Sequence, residues 1–154
     1  MNRSRTFKKR PQPLKLAQWL FLAEALLAMV IIYTPSAGAW EEALARPEAA
    51  AALLGACAGP FCFLYLRDIC ARLEAEKEEQ LGPLWLLLAS QAMGLHYIML
   101  LLLAYGIYRQ YGNEMIGPAV LRSSKKSRRS MAFFLPVLLL YGVVLFVKVR
   151  VWLP

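Results

Sequence analysis

Residues 84–108 read LWLLLASQAMGLHYIMLLLLAYGIY, the longest apolar run of the chain. Backbone polar groups in lipid must be paired within the protein, so a run of this length must be helix or part of a closed β-barrel. Barrel strands alternate apolar and polar residues, whereas residues 99–103 are apolar without interruption. A helix that crosses about 30 Å of hydrocarbon takes roughly 17–25 residues. The run therefore predicts a membrane-crossing helix.

Three more apolar stretches accompany it, and the composition, 59% apolar and 18% charged, is that of a membrane protein. We expect an all-α, polytopic transmembrane helical bundle with four spans. The predicted helices cover residues of about 16–34, 48–66 with an extension to 80, 83–108 and 131–149. They form one transmembrane helical domain, residues 16–154, after a basic N-terminal segment, residues 1–15.

Orientation can be predicted by counting Lys and Arg on each side. Residues 1–15 hold six of the 18 and no acid, which favours a cytoplasmic N-terminus. With four spans, 11 lie inside and seven outside, because the basic linker 109–130 falls outside. If segment 48–66 re-enters without crossing, the count becomes 12 and six. We predict four spans, since that segment is long enough to cross; three spans plus one re-entrant segment is the alternative.

Glu24 is the strongest single candidate for a functional residue, because no basic residue lies within one helical turn of it. A charge at the centre of a membrane helix costs about 2.5–3.5 kcal/mol on insertion scales, so the side chain must be neutral, paired or facing water. Ser90 and Gln91 should lie at a similar depth. We predict a Glu24–Gln91 hydrogen bond, and a proton site, a cation site or a subunit anchor at Glu24. The alternative is a protonated Glu24 with a purely structural hydrogen bond.

His96 is the only histidine of the chain. A histidine in a membrane helix can ligate haem, but one copy cannot supply two axial ligands without help from Met, a second chain or a partner. We therefore expect no cofactor, with haem as a minor alternative. Hydrogen bonding, a proton relay and plain helix packing are the other interpretations.

Small residues recur at a spacing of four in the second segment, which contains Ala51, Gly55 and Gly59. Ser90 and Gly94 repeat this spacing in the third segment. Small residues allow helix backbones to approach closely in lipid, so we predict that these positions form helix-packing contacts.

The linker contains a basic cluster formed by Lys125, Lys126, Arg128 and Arg129. Basic residues beside membrane segments attract anionic lipid, at about 1 kcal/mol each. We predict contact with lipid headgroups or a partner subunit and no nucleic-acid binding. An ordinary solvated charge run is the alternative.

Residues 40–46, WEEALAR, resemble a tryptophan–acidic–acidic–Leu-Ala-Arg stretch of known proteins. That stretch lies between the first two helices of the small subunits of tripartite periplasmic-binding-protein-dependent transporters. The likeness covers seven of 154 residues. It implies a small membrane subunit that works beside a larger transporter subunit.

Catalytic signatures are missing from the sequence, which has no glycine-rich phosphate loop, nucleophile elbow or metal-ligand cluster. We therefore predict a non-enzymatic accessory or small subunit of an inner-membrane complex, with a partner subunit or a second copy beside it. The first alternative is a small self-assembling transporter or channel that uses Glu24. The second is a haem or quinone electron-transfer subunit that uses His96.

Overall fold

The computed structural model describes residues 12–33, 45–73, 75–116 and 125–153, and this part of the chain is helical without any strand. The predicted all-α class is therefore confirmed. The basic residues up to position 11 and the WEEALAR stretch up to residue 44 lie outside the described residues.

The described residues form five α-helices. They are α1 (Gln12–Tyr33), α2 (Pro47–Arg72), α3 (Leu81–Gly94), α4 (Tyr97–Tyr111) and α5 (Lys125–Trp152). Short 3₁₀ helices, Lys77–Gln80 and Gly112–Ile116, precede α3 and follow α4. The second helix ends at Arg72, before the expected extension to residue 80, and α5 begins inside the stretch that was expected to be a linker.

Within the described part of the chain, three helices are long and apolar enough to cross a membrane: Gln12–Ile31, Pro47–Arg72 and Arg128–Trp152. Large apolar side chains cover the outside of the bundle, including Trp19, Ile98 and Phe133. A contiguous apolar exterior of this kind is suited to lipid and not to water. The fold is that of a membrane protein, and the predicted count of four spans is not confirmed.

The third apolar segment accounts for the difference, because it is two helices and not one. Helices α3 and α4 have 14 and 15 residues, or lengths of about 21 and 22 Å. Each is shorter than the roughly 30 Å hydrocarbon core. Their far ends are joined: Trp85 Nε1 donates to the Met115 carbonyl at 2.9 Å, and the Tyr111 hydroxyl donates to the Lys77 carbonyl at 2.6 Å. The segment is therefore a helical hairpin whose two ends meet at one side.

The turn between the two helices, which we call the hairpin tip, consists of Leu95 and His96. The Leu95 N–H donates to the Ala92 carbonyl at 3.2 Å, and the His96 N–H donates to the Gln91 carbonyl at 3.1 Å. This pair of bonds is the Schellman arrangement, which places the residue after the helix in the left-handed region. That residue is Leu95, with φ 60° and ψ 32°. Leucine takes the place that glycine usually occupies, so the tip carries backbone strain.

The helices pack in a ring. Helix α1 contacts α2 and α4, while α5 contacts α2 and α3, and α3 contacts α4. We call the joined far ends of α3 and α4 the hairpin base. Between the base and the tip, apolar side chains from four helices are fully buried: Leu66 on α2, Leu87 on α3, Leu103 on α4 and Phe134 on α5. The fully buried polar residues Ser90 and Gln91 lie at the end of this core that is nearer the tip.

Leu95 offers a test of the hairpin. Leu95→Gly removes the left-handed strain that Leu95→Ala keeps, so the glycine variant should be more stable than the alanine variant by about 1 kcal/mol. Chemical unfolding in detergent micelles measures the difference. At Ala89, which is exposed in the middle of α3, Ala→Gly should lower stability by roughly 0.5–1 kcal/mol. If alanine were more stable than glycine at position 95, as it is expected to be at position 89, the left-handed conformation of Leu95 would be contradicted.

Candidate functional site

The hairpin tip brings together charged side chains from different helices. Glu24 lies on the face of α1 that faces the hairpin. Its Oε1 pairs with Nδ1 of His96. The exposed fractions of the two side chains are 39% and 17%. An ionised carboxylate can only accept, so the pair needs a proton on Nδ1; a protonated Glu24 would instead donate to Nδ1. One proton thus has two alternative positions in this contact.

Lys148 of α5 is a third ionisable group at the tip. Its Nζ donates to the carbonyl of Gly94 at 2.6 Å, at the last residue of α3. The C-terminal end of a helix carries partial negative charge and unpaired carbonyls, which a cation stabilises. The ammonium group therefore caps the broken end of α3. The side chain is partly buried and close enough to Glu24 for the two charges to interact.

A buried polar network lies one turn below the tip. Gln91, fully buried, points its Nε2 at Ser90 Oγ (3.2 Å), Tyr141 Oη (3.4 Å) and Cys62 Sγ (3.8 Å). Ser90 donates to the carbonyl of Leu87 at 2.7 Å. Within the described residues, Gln91 Oε1 has no hydrogen-bond partner. The Tyr141 ring meets the His96 imidazole edge-on, with centroids 5.9 Å apart, and links this network to the Glu24–His96 pair.

A cavity of about 200 Å³, which we call the polar cavity, lies beside the hairpin tip between α1, α2 and α5. Its polar side chains are Glu24, His96, Tyr141 and Lys148, and most of the remaining wall consists of alanine and glycine. A water molecule occupies about 30 Å³ in the liquid, so the space is large enough for several waters. The wall residues Ala28 and Ala52 lie toward the ends of α1 and α2 that are connected through residues 34–44.

Small residues make room for the site. A Cβ on Gly59 would lie 2.7 Å from the carbonyl oxygen of Phe21, so α1 and α2 touch there through their backbones. A Cβ on Gly55 would lie 3.7 Å from His96 Nε2. Gly94 packs against His96 and Tyr141, and Ala51 is buried in the cavity wall. Ala51, Gly55 and Gly59 thus line one cavity, and Gly94 adjoins the hairpin tip.

The structure pairs the polar residues that the sequence singled out differently from the prediction. Glu24 contacts His96, and the predicted Glu24–Gln91 hydrogen bond is not formed, because Gln91 turns toward α2 and α5. Ser90 lies beside Gln91 as expected. Arg128 and Arg129 lie at the opposite end of α5 from Lys148, and the side chains of Lys125 and Lys126 are outside the described part.

Three site residues were not predicted: Lys148, Tyr141 and Cys62. Lys148 was treated as the end of the last apolar segment, although Val147 and Val149 flank it. A lysine embedded in apolar residues was the available signal, since such residues commonly face a protein interior. Tyr141 and Cys62 carry no signal of their own, because both are ordinary core residues.

Among the described residues, no group of three or more His, Cys, Asp or Glu side chains could hold a metal ion. Nδ1 of His96 is engaged by Glu24, and Nε2 faces Gly55. Comparison of the chain with protein families, with curated proteins and with solved structures finds no match.

The cap on α3 can be tested through Lys148. Lys148→Met removes the charged donor from the Gly94 carbonyl and should lower the free energy of unfolding by roughly 1–2 kcal/mol. Arg150→Met, at an exposed position one turn from the helix end, is the matched control and should change stability by less than about 0.5 kcal/mol. Unfolding in detergent micelles measures both. Equal effects would show that Lys148 contributes only its general charge.

Proposed function

We propose that α1, α2 and α5 cross the cell membrane, that the α3–α4 hairpin re-enters it from the cytoplasmic side, and that the N-terminus is cytoplasmic. The distribution of charge supports this topology. With the hairpin returning to its own side, the linker 109–130 becomes cytoplasmic, and 15 of the 18 Lys and Arg residues lie inside. Four spans would place only 11 inside. A bias of 15 to three is what the positive-inside tendency leads one to expect.

Single cysteines test this topology in a variant without Cys57, Cys62 and Cys70. Ala75→Cys and Asn113→Cys, at exposed positions before α3 and after α4, should both react with an impermeant maleimide only after the cytoplasmic face is opened. Arg46→Cys, between α1 and α2, should react from outside in intact cells. Labelling of Ala75→Cys and Asn113→Cys from opposite sides would establish a crossing and exclude the hairpin.

We further propose that the protein is a small transporter or channel for protons, in which the Glu24–His96 pair is the exchange site. The observation that carries this proposal is an ionisable pair beside a helix break at membrane depth, facing a polar cavity. Irregular backbone at that depth is tolerated where it is buried or lines a water-filled space, and broken helices form the ion sites of many transporters. Intramembrane carboxylates and histidines commonly belong to proton relays.

The two sides of the site differ, which supports a transport cycle. The polar cavity extends from the tip toward the connected ends of α1 and α2, the proposed outer side. On the other side the Gln91–Tyr141–Cys62 network is followed by the apolar core around Leu87 and Phe134. A proton that enters from outside therefore stops at His96 until the hairpin or α5 moves. Because either the carboxyl group or the imidazole can hold the shared proton, the pair can pass it to water in the polar cavity.

Proton flux into liposomes tests the proposal. With a potassium potential set by valinomycin and a pH dye trapped inside, the unmodified protein should raise proton entry well above that of protein-free vesicles. Glu24→Gln and His96→Gln should each reduce the flux at least ten-fold. Glu48→Gln, at an exposed position outside the polar cavity, should leave it unchanged. Flux in Glu24→Gln equal to that of the unmodified protein, or none above empty vesicles, would refute the function.

A specific observation also favours a second candidate, an accessory subunit of an inner-membrane complex. An apolar recess of about 480 Å³ lies between α1 and the first residues of α4, and Glu24 lines it. The N-terminal end of α4 has no side-chain cap there. A partner helix with a hydroxyl or amide could occupy the recess and bond to Glu24. A monomer that copurifies with nothing in mild detergent would exclude this role.

A further inference from the structure

A second recess, separate from the polar cavity, lies between α2 and α5 near the hairpin base. It measures about 650 Å³ and opens to the outside of the bundle. Its long apolar part is formed by Phe61 and Leu64 of α2 and by Phe133 and Val137 of α5. Phe61 and Leu64 are each 54% exposed and Phe133 is 82% exposed. We call this recess the lateral crevice.

The other end of the lateral crevice is polar. Arg72 of α2 and Arg129 of α5 lie on its two sides, together with Asp68 and Ser130. Asp68 forms an ion pair with Arg72, one helical turn away, and Arg129 has no ion pair with any described residue. Two guanidinium groups against one carboxylate leave this end with a net positive charge.

Tyr65 adds an unsatisfied donor to the same place. Its ring lines the lateral crevice and stacks on Phe134, with centroids 4.2 Å apart. The side chain is 94% buried, yet its hydroxyl makes no hydrogen bond of good geometry to a described residue, although Ser130 lies beside it. Buried hydroxyl groups are nearly always satisfied, so an unpaired one points to a missing partner.

We propose that the lateral crevice is a binding site for one anionic phospholipid of the leaflet at the hairpin base. The phosphate lies between Arg129 and Arg72, within reach of the Ser130 hydroxyl, and an acyl chain runs along Phe61 and Leu64. Basic pockets between membrane helices on the cytoplasmic side are suited to anionic headgroups, and guanidinium groups bind phosphate by two parallel hydrogen bonds. A neutral lipid would leave Arg129 without a partner, and a free phosphate would leave the apolar part empty.

This inference does not depend on proton transport, because the lateral crevice shares no lining residue with the polar cavity. It does depend on α2 and α5 being in a membrane. The exposed Arg128 in the first turn of α5 increases the positive potential around the headgroup. It also makes a control necessary, since general attraction must be separated from a built site.

Native mass spectrometry of the purified protein in neutral detergent provides the test. Phosphatidylglycerol and phosphatidylcholine with identical acyl chains are titrated, and the first bound molecule should be phosphatidylglycerol, at least five-fold tighter. Arg129→Gln should weaken the binding of phosphatidylglycerol roughly five-fold, which corresponds to the loss of one basic group near the surface. Arg128→Gln, which removes the same charge from an exposed neighbour outside the lateral crevice, should have less than a two-fold effect.

A second variant tests the acyl chain. Ala132 lines the lateral crevice and is exposed, so Ala132→Trp should fill it and abolish the tight binding without any change of charge. The matched control is Ala89→Trp, which adds the same side chain at an exposed position of α3 outside the lateral crevice. Glycerol phosphate, which has a headgroup and no chain, should not compete. Equal weakening by the two arginine variants, equal binding of the two lipids, or full binding in Ala132→Trp would each overturn the site.

Discussion

A helix that stops in the middle of an apolar segment leaves backbone groups unpaired, and the structure depends on how the hairpin tip satisfies them. Each such group costs several kcal/mol in lipid. The N–H groups of Leu95 and His96 bond back to the preceding turn, and Lys148 supplies the donor for the Gly94 carbonyl. Glu24 holds the imidazole of His96. The charged residues that interrupt apolar helices are therefore those that stabilise the break.

The break also explains why small residues line the neighbouring helix. A turn with a histidine side chain is wider than a continuous helix, so α2 must provide space for it. Gly55 faces His96, and Gly59 allows α1 to approach closely enough for Glu24 to reach the tip. The space left beside these glycine and alanine residues is the polar cavity. Packing and chemistry thus have one cause, which is the need to house the turn between the apolar helices.

Part of this arrangement could be predicted. The apolar runs and their lengths identified the helical segments, and Lys and Arg were divided less evenly in the alternative with a re-entrant segment than in the predicted four spans. The sequence analysis considered re-entry only for residues 48–66, as the alternative to four spans. The hairpin instead contains residues 84–108, the longest apolar run of the chain. The turn contains no proline, asparagine or serine, and leucine occupies its left-handed position. The composition of the turn therefore did not predict a break in the helix.

Composition and order of residues alone determined the class of protein, the number of apolar segments and the approximate depth of Glu24, since rise per residue converts position into height. The tertiary structure decided which residues meet. The direction in which a side chain points around its helix depends on the packing of the neighbours, and for this reason Glu24 meets His96 while Gln91 meets Tyr141. Lys148 joins them because the hairpin ends at its level, a fact that no local pattern contains.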